Sequence, residues 1–240
     1  MSVDWKDAIK TVSFTLLAIL AMRTTVFASY YIPSESMVPT LEVGDRLIIT
    51  KWDYGYSRHS LPFGIGQFLP ASSIRLFEQL PDLGDIVVFD HPQNPGVDMI
   101  KRVIGLPGDE IKMENGRLLI NGTVINRTRV HDYIYAGQAG REIYVRQFTE
   151  DLPGAPHSII ERSDNGRADN TRTFHVPSGH LFMVGDNRDN SGDSRFASLS
   201  YVPMENLIGR ARLLPFSLHT CPRVASHLTC APKRYLSTIQ

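Results

Sequence analysis

The feature that most constrains this chain is an apolar run near its N-terminus, from Ala8 to Ala28. At a helical rise of about 1.5 Å per residue, this run would be about 31 Å long, close to the thickness of a bilayer's hydrocarbon core. Lys10 and Arg23 lie near its ends and can extend toward the lipid headgroups. Tyr30 and Tyr31 follow, where interfacial aromatic residues are common. The run therefore predicts one N-terminal transmembrane helix.

Two other interpretations of the run stay open. Val26-Phe27-Ala28 has the small residues that precede the cut of a cleavable signal peptide, although Arg23 after the apolar core disfavours that interpretation. The run could also form a buried amphipathic helix. If it is an anchor, Lys6 and Lys10 favour a cytoplasmic N-terminus, and everything after residue 28 would lie on the other side of the membrane.

Length and charge exclude several classes of protein. The chain has 240 residues, and its 25 Lys and Arg balance its 25 Asp and Glu, so the formal net charge is zero. Nucleic-acid-binding proteins usually carry a basic surplus, so we expect no nucleic acid partner. Hydrophobic residues make up 42% of the chain, which excludes global disorder. The only cysteines, Cys221 and Cys230, could form a disulfide if the tail that carries them is periplasmic.

Beyond residue 28 the pattern is typical of short β-strands. Runs rich in β-branched and apolar residues predict strands at 45–51, 85–89, 99–104 and 175–184. Asn115-Gly116 and Asn121-Gly122 separate three more short runs, and Asn-Gly favours type I′ hairpin turns. This part of the chain therefore predicts a β-meander.

Two segments have weaker patterns. Residues 201–214 predict a helical turn after Pro203 and then a strand. Residues 126–174 are polar and weakly periodic, and we expect them to form an inserted cap or a set of long loops.

The first segment that contains candidate catalytic residues is IPSESMVPTL, from Ile32 to Leu41. Pro33 and Pro39 favour extended neighbours, and residues two apart in an extended chain face the same way. Ser34 and Ser36 can therefore point into one site, where one hydroxyl attacks a carbonyl and the other stabilises the oxyanion. Most serines beside prolines are turn residues, so the motif needs support from elsewhere in the chain.

A nucleophilic serine needs a base, and the eight histidines are scattered with no G-x-S-x-G motif. A lysine can act as the base if burial lowers its pKa. Lys101 lies in the predicted strand MIKRVI, where it shares a face with Met99 and Val103. The alternative is a solvent-facing lysine beside Arg102.

The third segment is the polar loop GDNRDNSGDSRF, from Gly185 to Phe196. It could be a surface loop or a calcium loop, but it lacks the glutamate at the twelfth position that a helix–loop–helix calcium site uses. It could instead be a rigid polar scaffold. In that case Asp193 pairs with Arg195, and Ser191 hydrogen-bonds the lysine amine and orients it.

Four segments of this chain resemble, in the same order, those of bacterial type I signal peptidases, the membrane-anchored Ser–Lys endopeptidases of family S26. The segments are IPSESMVPTL, GDIVVF, MIKRVIGLPGD and GDNRDNSGDSR. The resemblance covers most of residues 8–212 and is poor over 126–174. The segment at 54–66 is similar to that of the alphaproteobacterial members.

The resemblance implies specific roles for the site residues. Ser36 would be the nucleophile and Lys101 the general base, with the Ser36 N–H and the Ser34 hydroxyl as the oxyanion hole. Ser191 would orient Lys101, and Asp193 with Arg195 would support that loop. The residues that would line shallow pockets for small substrate side chains are Tyr30, Ile32, Met37, Leu41, Met99 and Ile100.

One residue departs from the family pattern. Glu35 stands between the two serines, where the best-known members have glycine. A residue with a side chain requires an ordinary backbone conformation at this position, and this one adds a negative charge near the site.

The resemblance also implies a mainly β fold, in which an antiparallel β-sheet catalytic domain with an inserted β-rich cap follows one transmembrane helix. The expected divisions are a cytoplasmic segment 1–7, an anchor 8–28, a periplasmic catalytic domain 29–216 with its cap at about 110–178, and a tail 217–240.

The implied function is removal of signal peptides from exported preproteins after small residues, at the bacterial inner membrane. No metal or cofactor is expected. The expected partners are preproteins, the lipid bilayer and the secretion translocon. Three alternatives stay open: a pilin-processing peptidase of a conjugation apparatus, a LexA-like self-cleaving regulator, and a non-catalytic membrane-tethered β module.

Overall fold

The computed structural model describes residues 5–61, 66, 68–70, 75–136, 142–218 and 234–239. The first described element is helix α1, Trp5–Thr25, and the elements that follow are mainly β-strands. The strands are β1 Phe27–Tyr31, β2 Asp45–Thr50, β3 Ile86–Asp90, β4 Asp98–Gly105, β5 Glu110–Glu114, β6 Arg117–Ile120, β7 Thr123–Val124, β8 Arg127–Ala136, β9 Glu142–Glu150, β10 His157–Glu161, β11 Phe174–His175, β12 His180–Val184, β13 Val202–Pro203, β14 Leu207–Ser217 and β15 Tyr235–Thr238.

The bounds of the N-terminal helix differ from the predicted anchor at 8–28, since the helix begins at Trp5. It ends at Thr25, and Phe27–Tyr31 pairs with β2, so the predicted helix end at residue 28 is wrong. Backbone hydrogen bonds to β2 take these residues, including both tyrosines, into the sheet.

Large apolar side chains of α1 are exposed, Phe14 by 75% and Leu17 by 64%, so the helix is not buried. Within the described part of the chain, no helix has both the length and the hydropathy needed to cross a bilayer.

The largest unit is an antiparallel eight-stranded sheet with the order β1-β2-β14-β3-β4-β12-β13, in which β15 also pairs with β14. Its central strand β3 is buried along its whole length. Ile86 and Val88 belong to one apolar cluster, and Val87 and Phe89 to another. Because side chains alternate between the faces of a strand, this sheet is covered on both sides, which explains the continuous apolar run at 85–89.

Two smaller sheets lie between β4 and β12 in the chain. One has the order β11-β5-β6-β7 and the other β10-β9-β8. The predicted meander is confirmed, since Asn115, Gly116, Asn121 and Gly122 all have positive φ values, between 51° and 76°. The weakly periodic segment 126–174 contains three strands, so the alternative of long loops alone is wrong.

Two later predictions have mixed outcomes. The predicted single strand at 175–184 is two strands, β11 and β12, because Pro177 has no N–H and a turn follows it, closed by the His180 N–H on the Pro177 carbonyl at 3.2 Å. The helical turn and strand predicted at 201–214 are confirmed as the 3-10 turn Met204–Asn206 and β14. Cys221 and Cys230 lie outside the described residues.

Candidate active site

Ser36 and Lys101 come together at the centre of the large sheet. Ser36 lies in the nucleophile loop, residues 32–45, which runs from the end of β1 to the first residue of β2. Lys101 lies in the middle of β4. The Lys101 Nζ donates a hydrogen bond to the Ser36 Oγ at 2.7 Å. Both residues are buried, with Lys101 only 3% exposed and Ser36 only 8%. The interpretation of Lys101 as a solvent-facing lysine is therefore wrong.

The surroundings of Lys101 favour the neutral amine. Burial lowers the lysine pKa from its usual 10.5 to about 8, because the ammonium loses its hydration. The carboxylates of Asp193 and Asp186 partly oppose this shift, and Arg195 adds to it. The Nζ donates its other hydrogen bond to the Ile100 carbonyl at 2.9 Å. A substantial fraction of Lys101 can therefore be neutral near neutral pH.

The nucleophile loop is a compact turn and not the predicted extended segment. The Leu41 N–H donates to the Met37 carbonyl at 2.8 Å, and the Val38 N–H to the Glu35 carbonyl at 3.2 Å. These local hydrogen bonds outweigh the extended preference of the residues before each proline. Ser34 and Ser36 still face one site, with their hydroxyl oxygens 3.4 Å apart.

Contacts from other elements fix this loop. The Ser36 carbonyl accepts from the Asn187 N–H at 3.2 Å. Val38 packs against the sheet of β8–β10, in a cluster with Tyr133 and Ile160. Within the described residues the Ser36 N–H donates to no other group, so it is available to an oxyanion.

The loop Gly185–Phe196 is rigidly supported. Asp193 accepts two hydrogen bonds from the Arg195 guanidinium, both at 2.8 Å, and a third from the Gly185 N–H at 3.1 Å. Arg195 also donates to the Arg188 carbonyl at 2.7 Å. These contacts hold the pKa of Asp193 below its usual value in spite of burial. The calcium-loop interpretation fails because arginine side chains already pair with the two buried carboxylates of this loop, Asp186 and Asp193.

Ser191 does not have the predicted contact with the lysine. Its buried Oγ makes no hydrogen bond to Lys101 within the described part of the chain. Its hydroxyl instead helps to lower the pKa of Asp193. It lies against Gly185, where an added Cβ would be 2.3 Å from the Ser191 Oγ and 2.5 Å from the Ser36 carbonyl oxygen. Ser191 thus packs behind the nucleophile and leaves Lys101 oriented by Ser36 and Ile100.

A buried ion pair that the sequence patterns did not predict lies behind the site. Arg102 is fully buried and binds Asp186 through two hydrogen bonds, at 2.9 and 2.8 Å. Thr40 of the nucleophile loop donates its hydroxyl to the same carboxylate. The pair holds the pKa of Asp186 low, mainly through the charge of Arg102 acting against burial. The signal was present, since both residues adjoin residues already singled out, but their pairing depends on the tertiary fold.

A small cavity of about 100 Å³ opens beside the dyad. Four of the six predicted substrate-binding residues line it, namely Tyr30, Ile32, Met99 and Ile100. The other lining residues include Ser34, Ser36, Val88, Asp98 and Lys101.

Met37 and Leu41 are not among the residues that line this cavity, and their contact with substrate stays a prediction. Both are completely buried in the apolar cluster beneath the sheet. The turn after Ser36 directs these side chains inward, whereas an extended segment would have presented Met37 on the face opposite the serines.

Glu35 has an ordinary backbone conformation, as a residue with a side chain requires. Its carboxylate accepts from the Asn190 Nδ2 at 2.7 Å, and its carbonyl from the Asn187 Nδ2 at 3.1 Å. The residue between the serines is thus held by the loop Gly185–Phe196.

Among the described residues, no group of three or more His, Cys, Asp or Glu side chains is placed to hold a metal ion.

Comparison with known proteins gives consistent similarities. A family model described as "Signal peptidase, peptidase S26" matches residues 5–216. A signal peptidase I of Rickettsia typhi is 39% identical over 221 residues, covering 88% of this chain and 80% of the relative. One of Rickettsia conorii is 39% identical over 215 residues, covering 85% and 77%. A solved signal peptidase I of Enterococcus faecalis is 26% identical, with a TM-score of 0.34, and the match covers 55% of this chain and 97% of that one.

Proposed function

The chain belongs to the signal peptidase family, peptidase S26, and we propose that Ser36 and Lys101 are the catalytic dyad with which it removes signal peptides from exported preproteins. The observation that carries this assignment is the 2.7 Å hydrogen bond between the Lys101 Nζ and the Ser36 Oγ in a buried site. This distance lies within the reach that a general base needs to take the hydroxyl proton.

The first chemical step is acylation of Ser36. Neutral Lys101 takes the proton of the Ser36 hydroxyl as the oxygen attacks the scissile carbonyl. The Ser36 N–H and the Ser34 hydroxyl stabilise the oxyanion that develops, because both donors are in place before the reaction begins. The Lys101 ammonium then gives its proton to the leaving amine, and the mature protein departs.

The second step is hydrolysis of the acyl-enzyme. Lys101 is neutral again after protonating the leaving amine, and it activates a water molecule that attacks the ester. Burial supports both steps, since it lowers the pKa of Lys101 to about 8 and so keeps a reactive fraction of the amine available.

The cavity beside Ser34 and Ser36 supports a preference for small side chains before the cut. Its volume of about 100 Å³ and its apolar lining by Ile32, Met99 and Ile100 fit a side chain of one to three carbons. A larger side chain would have to displace the buried Ile32, which is 2% exposed. Exclusion by size is thus the basis of the proposed specificity.

We further propose that α1 tethers the enzyme to the bacterial inner membrane, with the catalytic domain of residues 29–216 in the periplasm. Exposed apolar side chains on α1, such as Phe14 and Leu17, support a lipid environment. Ser36 follows Thr25 by 36 − 25 = 11 residues, which span at most about 40 Å of extended chain. Lipid and the secretion translocon are the neighbours that this placement implies.

The alternatives of a pilin-processing peptidase and a LexA-like regulator are not favoured, since the similar proteins, which match most of this chain, are named signal peptidase I. A non-catalytic β module would require that loss of Ser36 leave processing unchanged.

Cleavage of a preprotein by the full chain in detergent tests the dyad. We expect Ser36→Ala and Lys101→Met to lose roughly a thousandfold or more of kcat, since each removes an essential participant. Lys112→Met and Ser178→Ala are matched controls, because Lys112 pairs with Glu114 at the surface and Ser178 lies in an exposed turn. Turnover retained by either dyad variant would refute the assignment.

A further inference from the structure

The C-terminal end of the described chain lies beyond the part that matches the family model, residues 5–216, yet it is built into the main sheet. Strand β15 pairs with β14 from Phe216↔Tyr235 to Leu213↔Thr238. The Ile239 N–H donates to the Arg212 carbonyl at 3.0 Å. Ile239 also packs against the apolar cluster that contains Met37 and Leu41 of the nucleophile loop. This strand is therefore part of the folded domain.

Arg234, directly before β15, contacts the nucleophile loop at two points. Its Nη1 donates to the Thr40 carbonyl at 2.8 Å, and its Nη2 donates to the Asp45 Oδ2 at 2.6 Å. Asp45 is fully buried, whereas the Arg234 side chain is 26% exposed. One guanidinium thus bridges two residues of the loop that carries Ser36, in the paired geometry that suits arginine.

The two acceptors are positions where the loop is already tied to the rest of the site. Asp45 closes the base of the loop, since its carbonyl accepts from the Ile32 N–H at 2.9 Å and its side chain from the Glu42 N–H at 2.8 Å. Thr40 donates its hydroxyl to Asp186, the partner of Arg102. Arg234 therefore links two loop residues that are already hydrogen-bonded to their surroundings, although it lies outside residues 5–216, the family-matched segment that contains Ser36 and Lys101.

We propose that Arg234 is a positioning residue that fixes the second half of the nucleophile loop and thereby holds the Ser36 Oγ against the Lys101 Nζ. This inference rests on the proposed roles of Ser36 and Lys101. Its physical basis is that attack and proton transfer require a near-fixed geometry, and a displacement of about 1 Å can lower the rate by roughly a hundredfold. Arg234 is not among the residues that line the cavity, so it does not touch substrate there.

The test is a kinetic comparison of Arg234→Met and Arg234→Lys in the full chain, measured well below the unfolding temperature. We expect Arg234→Met to lower kcat roughly tenfold to a hundredfold, while KM changes by less than about twofold. The pH midpoint of activity should not move, because Arg234 is not among the groups that shift the pKa of Lys101. Arg234→Lys keeps one charged donor and should restore part of kcat.

Arg212→Met is the matched control, since Arg212 pairs with Asp53 on the same region of the sheet and, within the described residues, its side chain forms no hydrogen bond or ion pair with the nucleophile loop. It should leave kcat unchanged. If Arg234→Met unfolds, Asp45→Asn replaces it and should give the same fall in kcat with KM unchanged.

Three results would overturn the proposal. They are a kcat of Arg234→Met close to wild type, an equal loss in Arg212→Met, and a fall in unfolding temperature with normal kcat per folded molecule. Ser36→Ala in the same assay separates this inference from the proposed function. An active Ser36→Ala would reject the dyad, whereas an inactive Ser36→Ala with a normal Arg234→Met would reject only the role of Arg234.

Discussion

Lys101 and Arg102 are adjacent and almost completely buried in β4, but within the described residues only Arg102 has a carboxylate partner at ion-pair distance. Neighbouring residues of a strand point to opposite faces, so the two side chains meet different surroundings. Arg102 binds Asp186, whereas the Lys101 Nζ contacts the neutral oxygens of Ser36 and Ile100. A buried cation without a partner is costly and gives up its proton readily, while a paired one keeps its charge. One strand therefore supplies both a structural ion pair and a base.

Activity should depend on pH through the protonation of Lys101. The amine is reactive only when it is neutral, and its pKa is lowered to about 8, so kcat/KM should rise with pH and level off above a midpoint near 8. The measurement is kcat/KM from pH 6 to 10 on a peptide without groups that titrate in this range. A midpoint near the usual lysine value of 10.5 would contradict this picture of the site.

The same pKa shift predicts how stability depends on pH. Lys101 loses its proton near pH 8 in the folded state and near 10.5 in the unfolded chain, so the unfolded state binds more protons between these values. The cost in folding free energy of burying the Lys101 amine is therefore complete below pH 8, and it disappears as the pH rises to 10.5. We expect the free energy of unfolding of Lys101→Met, relative to wild type, to fall by up to about 3 kcal/mol from pH 7 to 11.

Chemical denaturation at a series of pH values measures this difference. Lys112→Met is the control, because Lys112 is a partly exposed lysine in a surface ion pair with Glu114, and surface ion pairs contribute little to stability, so the change in its difference from wild type should be much smaller. A constant difference for Lys101→Met would mean that burial does not lower its pKa.

Ser34 should act in the transition state and not in substrate binding. Its Oγ lies 3.4 Å from the Ser36 Oγ, so it can donate to the oxyanion that forms there. Loss of one such donor typically lowers kcat by roughly a hundredfold to a thousandfold, so we expect a fall of this size in Ser34→Ala with little change in KM. Ser34→Thr keeps a hydroxyl and should retain most activity. If Ser34→Ala raised KM and left kcat unchanged, Ser34 would be a substrate-binding residue instead.

Gly185 and Gly192 lie in the same loop and offer a matched pair of substitutions. A Cβ at Gly185 would be 2.5 Å from the Ser36 carbonyl oxygen, whereas a Cβ at Gly192 would meet nothing within 4 Å. We expect Gly185→Ala to displace the nucleophile and lower kcat by roughly tenfold or more, with a loss of about 1–3 kcal/mol in stability. Gly192→Ala should be close to wild type in both measurements. Equal effects of the two substitutions would show that backbone crowding at Ser36 is not the cause.

Local patterns predicted much of the β structure. The Asn-Gly pairs at 115–116 and 121–122 required positive φ values that few other residues adopt, so both hairpins could be identified without knowing their neighbours. The strand at residues 85–89 was predicted by its apolar run, since burial on both faces leaves no polar alternation. The strands within 126–174 gave no such signal, because much of β8 and β9 is only partly buried.

The fine structure of the site was harder to predict. The turn at Met37–Leu41 overrode the extended preference expected beside the prolines, so two predicted pocket residues belong to the core. The family resemblance implies a contact between Ser191 and Lys101, but the Ser191 side chain packs behind Ser36 at Gly185. Both differences concern the directions of side chains in irregular segments, for which the sequence contains no periodicity.

The sequence by itself determined the identities of the reactive groups, a serine pair and a lysine in an apolar strand, because these are properties of short segments. Only the tertiary structure decided the state of those groups. The pKa of Lys101, its hydrogen bond to Ser36 and the ties of the nucleophile loop to Asp186 and Arg234 all join residues that are distant along the chain. Burial and long-range pairing depend on which surfaces meet in the folded sheet, and no local pattern of residues specifies them.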